Sequence, residues 1–244
     1  MMKHRPQGVK ASASVAFLSL VVTVASAAAP QPETGAGTGQ CPAMAAWQKA
    51  HPHPEPGKSL DGPSQQGSNR ELRKELLDMF NADEKAGSAW EQELSKDSPD
   101  QAIMLNLQQV RAKNLSQLKK VVSQGGVPTT SQVGKDGVWA FFSLVQHADS
   151  DPAFQKSVLD LSEPLYRQKE IAGEQFAYLT DRVLIAEGKN QRFGTQFHLV
   201  GQDLVIRPVQ DAEHLDTRRS EADLPPEDDY MCYVAARSGK HVHR

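Results

Sequence analysis

Apolar side chains recur at helical spacing through most of the chain, and the stripes they draw predict its elements one by one. Leu72, Leu76, Met79, Phe80, Trp90 and Leu94 form the first stripe, behind Ser68-Asn69-Arg70-Glu71, which reads as a capping box with Ser68 at its cap. Ile103, Leu107, Val110, Leu118, Val121 and Val122 mark a second helix. It stops at Gly125-Gly126, where a left-handed cap costs little, and Pro128 confirms the break. Residues 133–148 contain Val138-Trp139-Ala140-Phe141-Phe142-Ser143-Leu144-Val145, apolar on every side, so this helix belongs at the centre of the domain. Asp151-Pro152 opens another helix with Pro at the first position. A longer one from about Glu170 to Ala186 carries Phe176, Leu179 and Val183 and ends at Gly188.

The period then changes from helical to alternating. Thr195, Phe197 and Leu199 alternate with Gln196, His198 and Val200, and Gly201-Gln202 leads into Asp203 through Val209. A two-residue turn opening with Gly predicts a β-hairpin. A short helix around residues 211–221 and a segment from Pro226 to Arg237 complete the body. The class is therefore mainly α: a helical domain of about five to seven helices with one small antiparallel β-hairpin near the C-terminal third, the helices covered on one side by the β element.

The ends read differently. Lys3, Arg5 and Lys10 precede an uncharged run from Ala11 to Ala29, ending in small residues, in the order of a secretory signal peptide cleaved after Ala27 or Ala29. Its strongly apolar centre is shorter than the roughly 20 residues of a membrane span, so no stable membrane insertion is expected after cleavage. Residues 30–67 are a flexible leader rich in Pro, Gly, Ser and Gln. Residues 68–237 form a single helical domain, and residues 238–244 a basic, His-containing tail. An exported chain, periplasmic or extracellular, would place Cys41 and Cys232 where a disulfide persists, although two independent thiols remain open. Cys41 follows Gly-Thr-Gly-Gln rather than an apolar box, which argues against a lipid anchor. The formal net charge is −3, and removing residues 1–29 makes it more acidic, so neither nucleic acid nor anionic lipid is an expected partner.

Candidate chemistry lies where polar residues interrupt apolar stripes, because an unpaired buried polar group costs about 1–3 kcal/mol. Asp83 sits on the buried face of the first helix and Asn114 on that of the second. Gln146, His147 and Asp149 follow directly on the all-apolar helix, and Asp181-Arg182 sits inside the apolar run of the next long one. Gln191, Thr195 and Gln196 belong to the hairpin approach, and Arg218-Arg219 to the helix after it.

Gln146-His147-Ala148-Asp149, Ala177 through Val183, Gly188 through Gln196 and Asp216-Thr217-Arg218-Arg219 together resemble the signature of domain-of-unknown-function family 6624, over roughly residues 70–230. The resemblance implies no activity. The chain departs from it at Phe193, where the family usually has Tyr, and at Asp83-Glu84, where an Asp-Gln pair is usual.

Gly57-Lys58-Ser59 lacks the strand and the leading glycine of a phosphate loop, and His51-Pro52-His53 and His241-Val242-His243 are isolated pairs, so no metal or cofactor is expected. Signatures of serine hydrolases, zinc proteases, dinucleotide folds and dithiol redox proteins are absent from the sequence. Three readings stand. In the first, His147 is a general base or acid oriented by Asp149 or Asp181, while Arg182, Arg218, Gln191, Thr195, Gln196, Asp83 and Asn114 bind an unknown polar small molecule in metal-independent hydrolysis or group transfer. In the second, the same groups bind a ligand without turnover. In the third, they are a structural hydrogen-bond network in an envelope interaction protein.

Overall fold

The computed structural model describes residues 41–50, 67–94 and 96–244. The signal-type segment, most of the leader and the Gly57-Lys58-Ser59 and His51-Pro52-His53 motifs lie outside these residues. Among the described residues the order is α1 (Pro42–Ala50), α2 (Arg70–Glu93), α3 (Gln101–Gly125), α4 (Thr130–Gln146), α5 (Pro152–Arg167), α6 (Gly173–Ala186), β1 (Phe197–Val200), β2 (Asp203–Ile206), a 3-10 turn (Ala212–His214), α7 (Leu215–Glu221), α8 (Glu227–Ser238) and β3 (Val242–His243). The chain is mainly α with a small sheet in its C-terminal part.

Local chemistry explains most boundaries. Asn69, not Ser68, caps α2: its Oδ1 accepts from Leu72 N at 3.0 Å, while Ser68 ties the entry to α4 through the Ser131 carbonyl. Asp100 caps α3, which ends on Gly126 at φ 75°. Asp151 caps α5 through Phe154 N, with Pro152 in the first turn. The start of α6 falls at Gly173, three residues later than its apolar pattern suggests. A Cβ there would meet the Ala222 carbonyl oxygen at 2.1 Å, so only glycine lets the two segments pack this closely.

Helix α4 is buried from Val133 to Gln146 apart from Lys135, and α2, α3, α5 and α6 contribute to the core around it. Phe80 meets Trp139 edge-on, and Phe141, Phe142, Val145, Val158 and Leu179 fill the centre. Each fully buried Leu or Phe here contributes about 1.5–3 kcal/mol of transfer free energy. A second apolar cluster lies on the other side of α6, where Ala177 and Tyr178 pack with Phe193, Phe197, Leu204, Ile206, Tyr230 and Val234. Helix α6 is thus the partition between two cores. Its polar residues Asp181 and Arg182 are buried as a consequence.

β1 and β2 form the expected antiparallel hairpin, with Phe197 opposite Ile206 and Val200 opposite Asp203. The tail contributes more than expected: β3 joins β2 in parallel, Leu204 opposite Val242, so the sheet has three strands in the order β1-β2-β3. The leader also contributes. α1 lies inside it, and Cys41 and Cys232 are bonded, with Cα atoms 5.9 Å apart, tying α1 to α8 across 191 residues of sequence. Among the described residues no helix is long and apolar enough to cross a membrane.

Candidate functional site

The C-terminal end of α4 delivers His147 as its cap, 7% exposed, against the buried face of α2. There His147 Nδ1 lies 2.5 Å from Oδ2 of Asp83, a carboxylate only 1% exposed. Arg111 from α3 approaches from the other side, its Nε 3.5 Å from Asp83 Oδ1. That contact is an ion pair without hydrogen-bond alignment, so Asp83 Oδ1 and Arg111 Nε are both buried without a hydrogen-bond partner. Burial works against the Asp83 carboxylate, but the His147 bond and the His147 and Arg111 charges outweigh it and hold its pKa below the ordinary value. Glu84, one position along, goes the other way: burial and the neighbouring Asp83 and Glu91 push it up to about 7.

This geometry fixes the imidazole. A carboxylate at Nδ1 selects the tautomer with the proton on that nitrogen and presents Nε2 as the basic atom. Among the described residues Nε2 has no hydrogen-bond partner. Asp83, rather than Asp149 or Asp181, is the carboxylate bonded to the His147 ring.

Asp149, with a side chain 46% exposed, forms a bidentate pair with Arg182, at 2.7 Å to Nε and 2.6 Å to Nη2. Despite burial, the Arg182 charge and bond and a bond from Gln155 hold the Asp149 pKa below its ordinary value. Gln155 also donates to the Val145 and Gln146 carbonyls, satisfying the end of α4 that carries His147. Arg182 Nη1 donates to Gln196 Oε1 at 3.2 Å, and Gln196 Nε2 donates to Thr195 Oγ1 at 3.1 Å. His147 and Asp149 stand two residues apart at the end of α4, so the two pairs are neighbours.

Asp181 lies at the far end of this network, reached through Thr195 Oγ1. Its Oδ1 accepts from Arg192 N at 2.6 Å and Phe193 N at 2.9 Å; its Oδ2 accepts from Thr195 N and Thr195 Oγ1, both at 2.9 Å. Burial pushes its pKa up, and these four donors pull it back. The residue is an anchor for the loop before β1, which turns at Gly194 with φ 66°. Gln191 clamps the same loop by donating to the Gln196 and Arg207 carbonyls and accepting from Gln196 N. Arg218 donates to the Arg192, Gln210 and Asp211 carbonyls, and buried Arg219 to those of Phe193, Gly194 and Pro225. Asn114 donates to the Met79 carbonyl at 3.5 Å, joining α3 to α2. Asp181 thus spends its acceptors on Arg192, Phe193 and Thr195, Gln191 and Arg218 bond largely to main-chain groups, Asn114 makes one long bond to a carbonyl, and none of the four is hydrogen-bonded to His147.

Four groups escaped the sequence reading. Arg111 lies one turn before Asn114, where a basic residue on a solvated helix face carries no signal. Gln155 follows Phe154 on α5 and looks like a surface amide. His198 and Arg207 share a face of the sheet with Gln196, and the alternation of the hairpin could have paired them. A cleft of about 790 Å³ opens elsewhere, between Trp47, Tyr166, Ile171 and Gly173, and is lined by none of the candidate residues. Among the described residues no group of three or more His, Cys, Asp or Glu is placed to hold a metal ion.

A family model described as a family of unknown function, DUF6624, matches residues 70–243, which takes in α2 through β3 and every candidate residue except Cys41. Comparison with curated proteins and with solved structures returns no match.

Proposed function

We propose that this chain, which belongs to that family of unknown function, acts outside the cytoplasm and holds a polar or anionic ligand at the C-terminal end of α4, where His147 carries a proton in hydrolysis or group transfer without a metal. The observation that carries this reading is the buried Asp83–His147 pair: one ring nitrogen is fixed at 2.5 Å and the other has no partner among the described residues. A histidine held in this way offers its other ring nitrogen as a proton acceptor. Arg182, next door and charged, supplies attraction for an anionic group. Support for export comes from the basic-then-apolar N-terminus and from the Cys41–Cys232 bond.

The test is His147→Gln in the disulfide-bonded chain, assayed against a panel of model esters, phosphoesters and amides. Gln fills the site and can still bond Asp83, so the expected result is loss of turnover by about 100-fold or more in a variant that stays folded. A second reading is favoured by the saturation of Asp181: a non-catalytic envelope interaction protein whose polar cluster is structural. It predicts a wild-type protein inert toward the whole panel and a His147→Gln variant that loses stability instead.

A further inference from the structure

The hairpin register sorts its side chains onto two faces. Phe197, Leu204 and Ile206 enter the second core, so Val205 and His198, which lie opposite each other, face the other way. One step further along, Arg207 N donates to the Gln196 carbonyl at 3.0 Å, which places Gln196 and Arg207 on that same outer face. Gln196 in turn accepts from Arg182. The sheet therefore brings His198, Arg207 and Arg182 together beside the Arg182–Asp149 pair.

The charges on this face do not balance. Arg207 Nε and His198 Nδ1 are buried with no hydrogen-bond partner, whereas Arg218 and Arg219 nearby spend their donors on carbonyls. Asp149 is committed to Arg182 through both oxygens. Asp203, the other carboxylate on this face, pairs with His243 at 3.3 Å. No acid among the described residues forms an ion pair with Arg207, and besides desolvation the charge acting on Arg207 is the like charge of Arg182. A buried donor without a partner destabilises the protein, and two guanidinium groups near each other add repulsion. Both costs vanish when an oxyanion occupies the face.

We infer that Arg207, His198 and Arg182 recognise the phosphoryl group of the ligand. The inference rests on the ligand-binding part of the proposed function and not on turnover. A phosphoryl group fits better than a carboxylate: its three terminal oxygens and nearly two charges match the Arg207 fork, the remaining Arg182 N–H groups and an imidazole nitrogen, whereas two carboxylate oxygens would leave donors idle.

The experiment is calorimetric titration of the disulfide-bonded chain at pH 7 and constant ionic strength with inorganic phosphate, and with acetate as the planar comparator. Saturable phosphate binding is expected, with acetate at least about tenfold weaker. Arg207→Gln should weaken phosphate by about tenfold and His198→Phe by several-fold, with the Tm of the phosphate-free protein unchanged or raised, while the exposed Lys189→Gln leaves binding as it was. Phosphate binding no better than acetate, or binding indifferent to Arg207→Gln, would overturn the inference. Glycerol 3-phosphate and phosphatidic acid vesicles then separate the sources. Arg207-dependent binding of the soluble ester assigns a small molecule, binding to vesicles alone assigns a lipid headgroup, and both keep the phosphoryl class. Arg207-dependent phosphate binding in a chain inert toward every substrate leaves this inference standing and removes the catalytic reading. Turnover with no such binding does the reverse.

Discussion

Two buried carboxylates, Asp83 and Asp181, are 1% and 0% exposed, yet they live in different chemistry. Asp181 accepts four hydrogen bonds, three of them from main-chain N–H groups of one loop, and touches no basic side chain. Asp83 accepts one, from an imidazole, and leaves its other oxygen 3.5 Å from a guanidinium that never aligns with it. The contrast separates architecture from chemistry. A saturated carboxylate holds its neighbours still, and nothing remains on it for a ligand or a proton. An under-bonded carboxylate behind a histidine stores interaction that a change of charge on the ring can use.

The same substitution at both positions should therefore have unequal effects. Asp181→Asn turns one acceptor oxygen into an N–H₂ group that faces donors. At least one buried N–H loses its partner and meets a second donor, so a loss of about 3 kcal/mol or more is expected by denaturant titration, with the loop before β1 losing hydrogen-exchange protection. A loss below about 1 kcal/mol would erase the distinction drawn between the two carboxylates.

Much of the fold behind this comparison was legible in the sequence. The all-apolar run Val138–Val145 announces a central helix because no face of it can meet water, and the Gly201-Gln202 turn announces the hairpin through its backbone. The polar interruptions were legible too, since Asp83, His147, Asp181 and Arg182 are all buried. Their partners were not. Which carboxylate meets His147 depends on how α2 crosses α4, and helical periodicity says which face is buried without saying what lies opposite. α1 was missed because nine residues ending at Ala50 hold too weak a stripe to stand alone; the bond from Cys41 to Cys232 anchors it. β3 was missed because two residues make no pattern, and Val242 pairs only because β2 leaves an edge open to it.

Asp83→Asn should cost less, about 1–2 kcal/mol at pH 7, because the amide oxygen still accepts from His147 Nδ1 and only the charge is lost. Its signature is in pH. The Asp83 pKa is lowered on folding, so the stabilisation is fully present above the unfolded value near 3.8 and disappears as pH falls through the folded value. The stability difference between wild type and Asp83→Asn should accordingly be constant from pH 5 to 7 and shrink below about pH 4. If turnover is found, it should fall by at least about tenfold in this variant, since an amide, which can also donate, no longer fixes the ring tautomer as the carboxylate does. A difference that stays constant down to pH 2 would mean that the Asp83–His147 pair carries no charge coupling.

Glu84 gives the smallest effect, of opposite sign. Its pKa rises from 4.5 to about 7 on folding because burial, Asp83 and Glu91 all disfavour its anion. A carboxyl with a raised folded pKa destabilises the fold as pH climbs from the unfolded value to the folded one, and the loss is complete above it. Glu84→Gln removes that charge and puts in place the amide that the family resemblance leads one to expect after Asp83. The variant should match wild type near pH 4 and become more stable between about pH 5 and 7. At pH 8 the gain should level off at about 1 kcal/mol, reduced from the full linkage value by partial exposure to solvent. Parallel melting curves of the two proteins across this range read the sign directly. A gain at pH 4 equal to that at pH 8 would assign the effect to packing and remove Glu84 from the electrostatics of the Asp83 site.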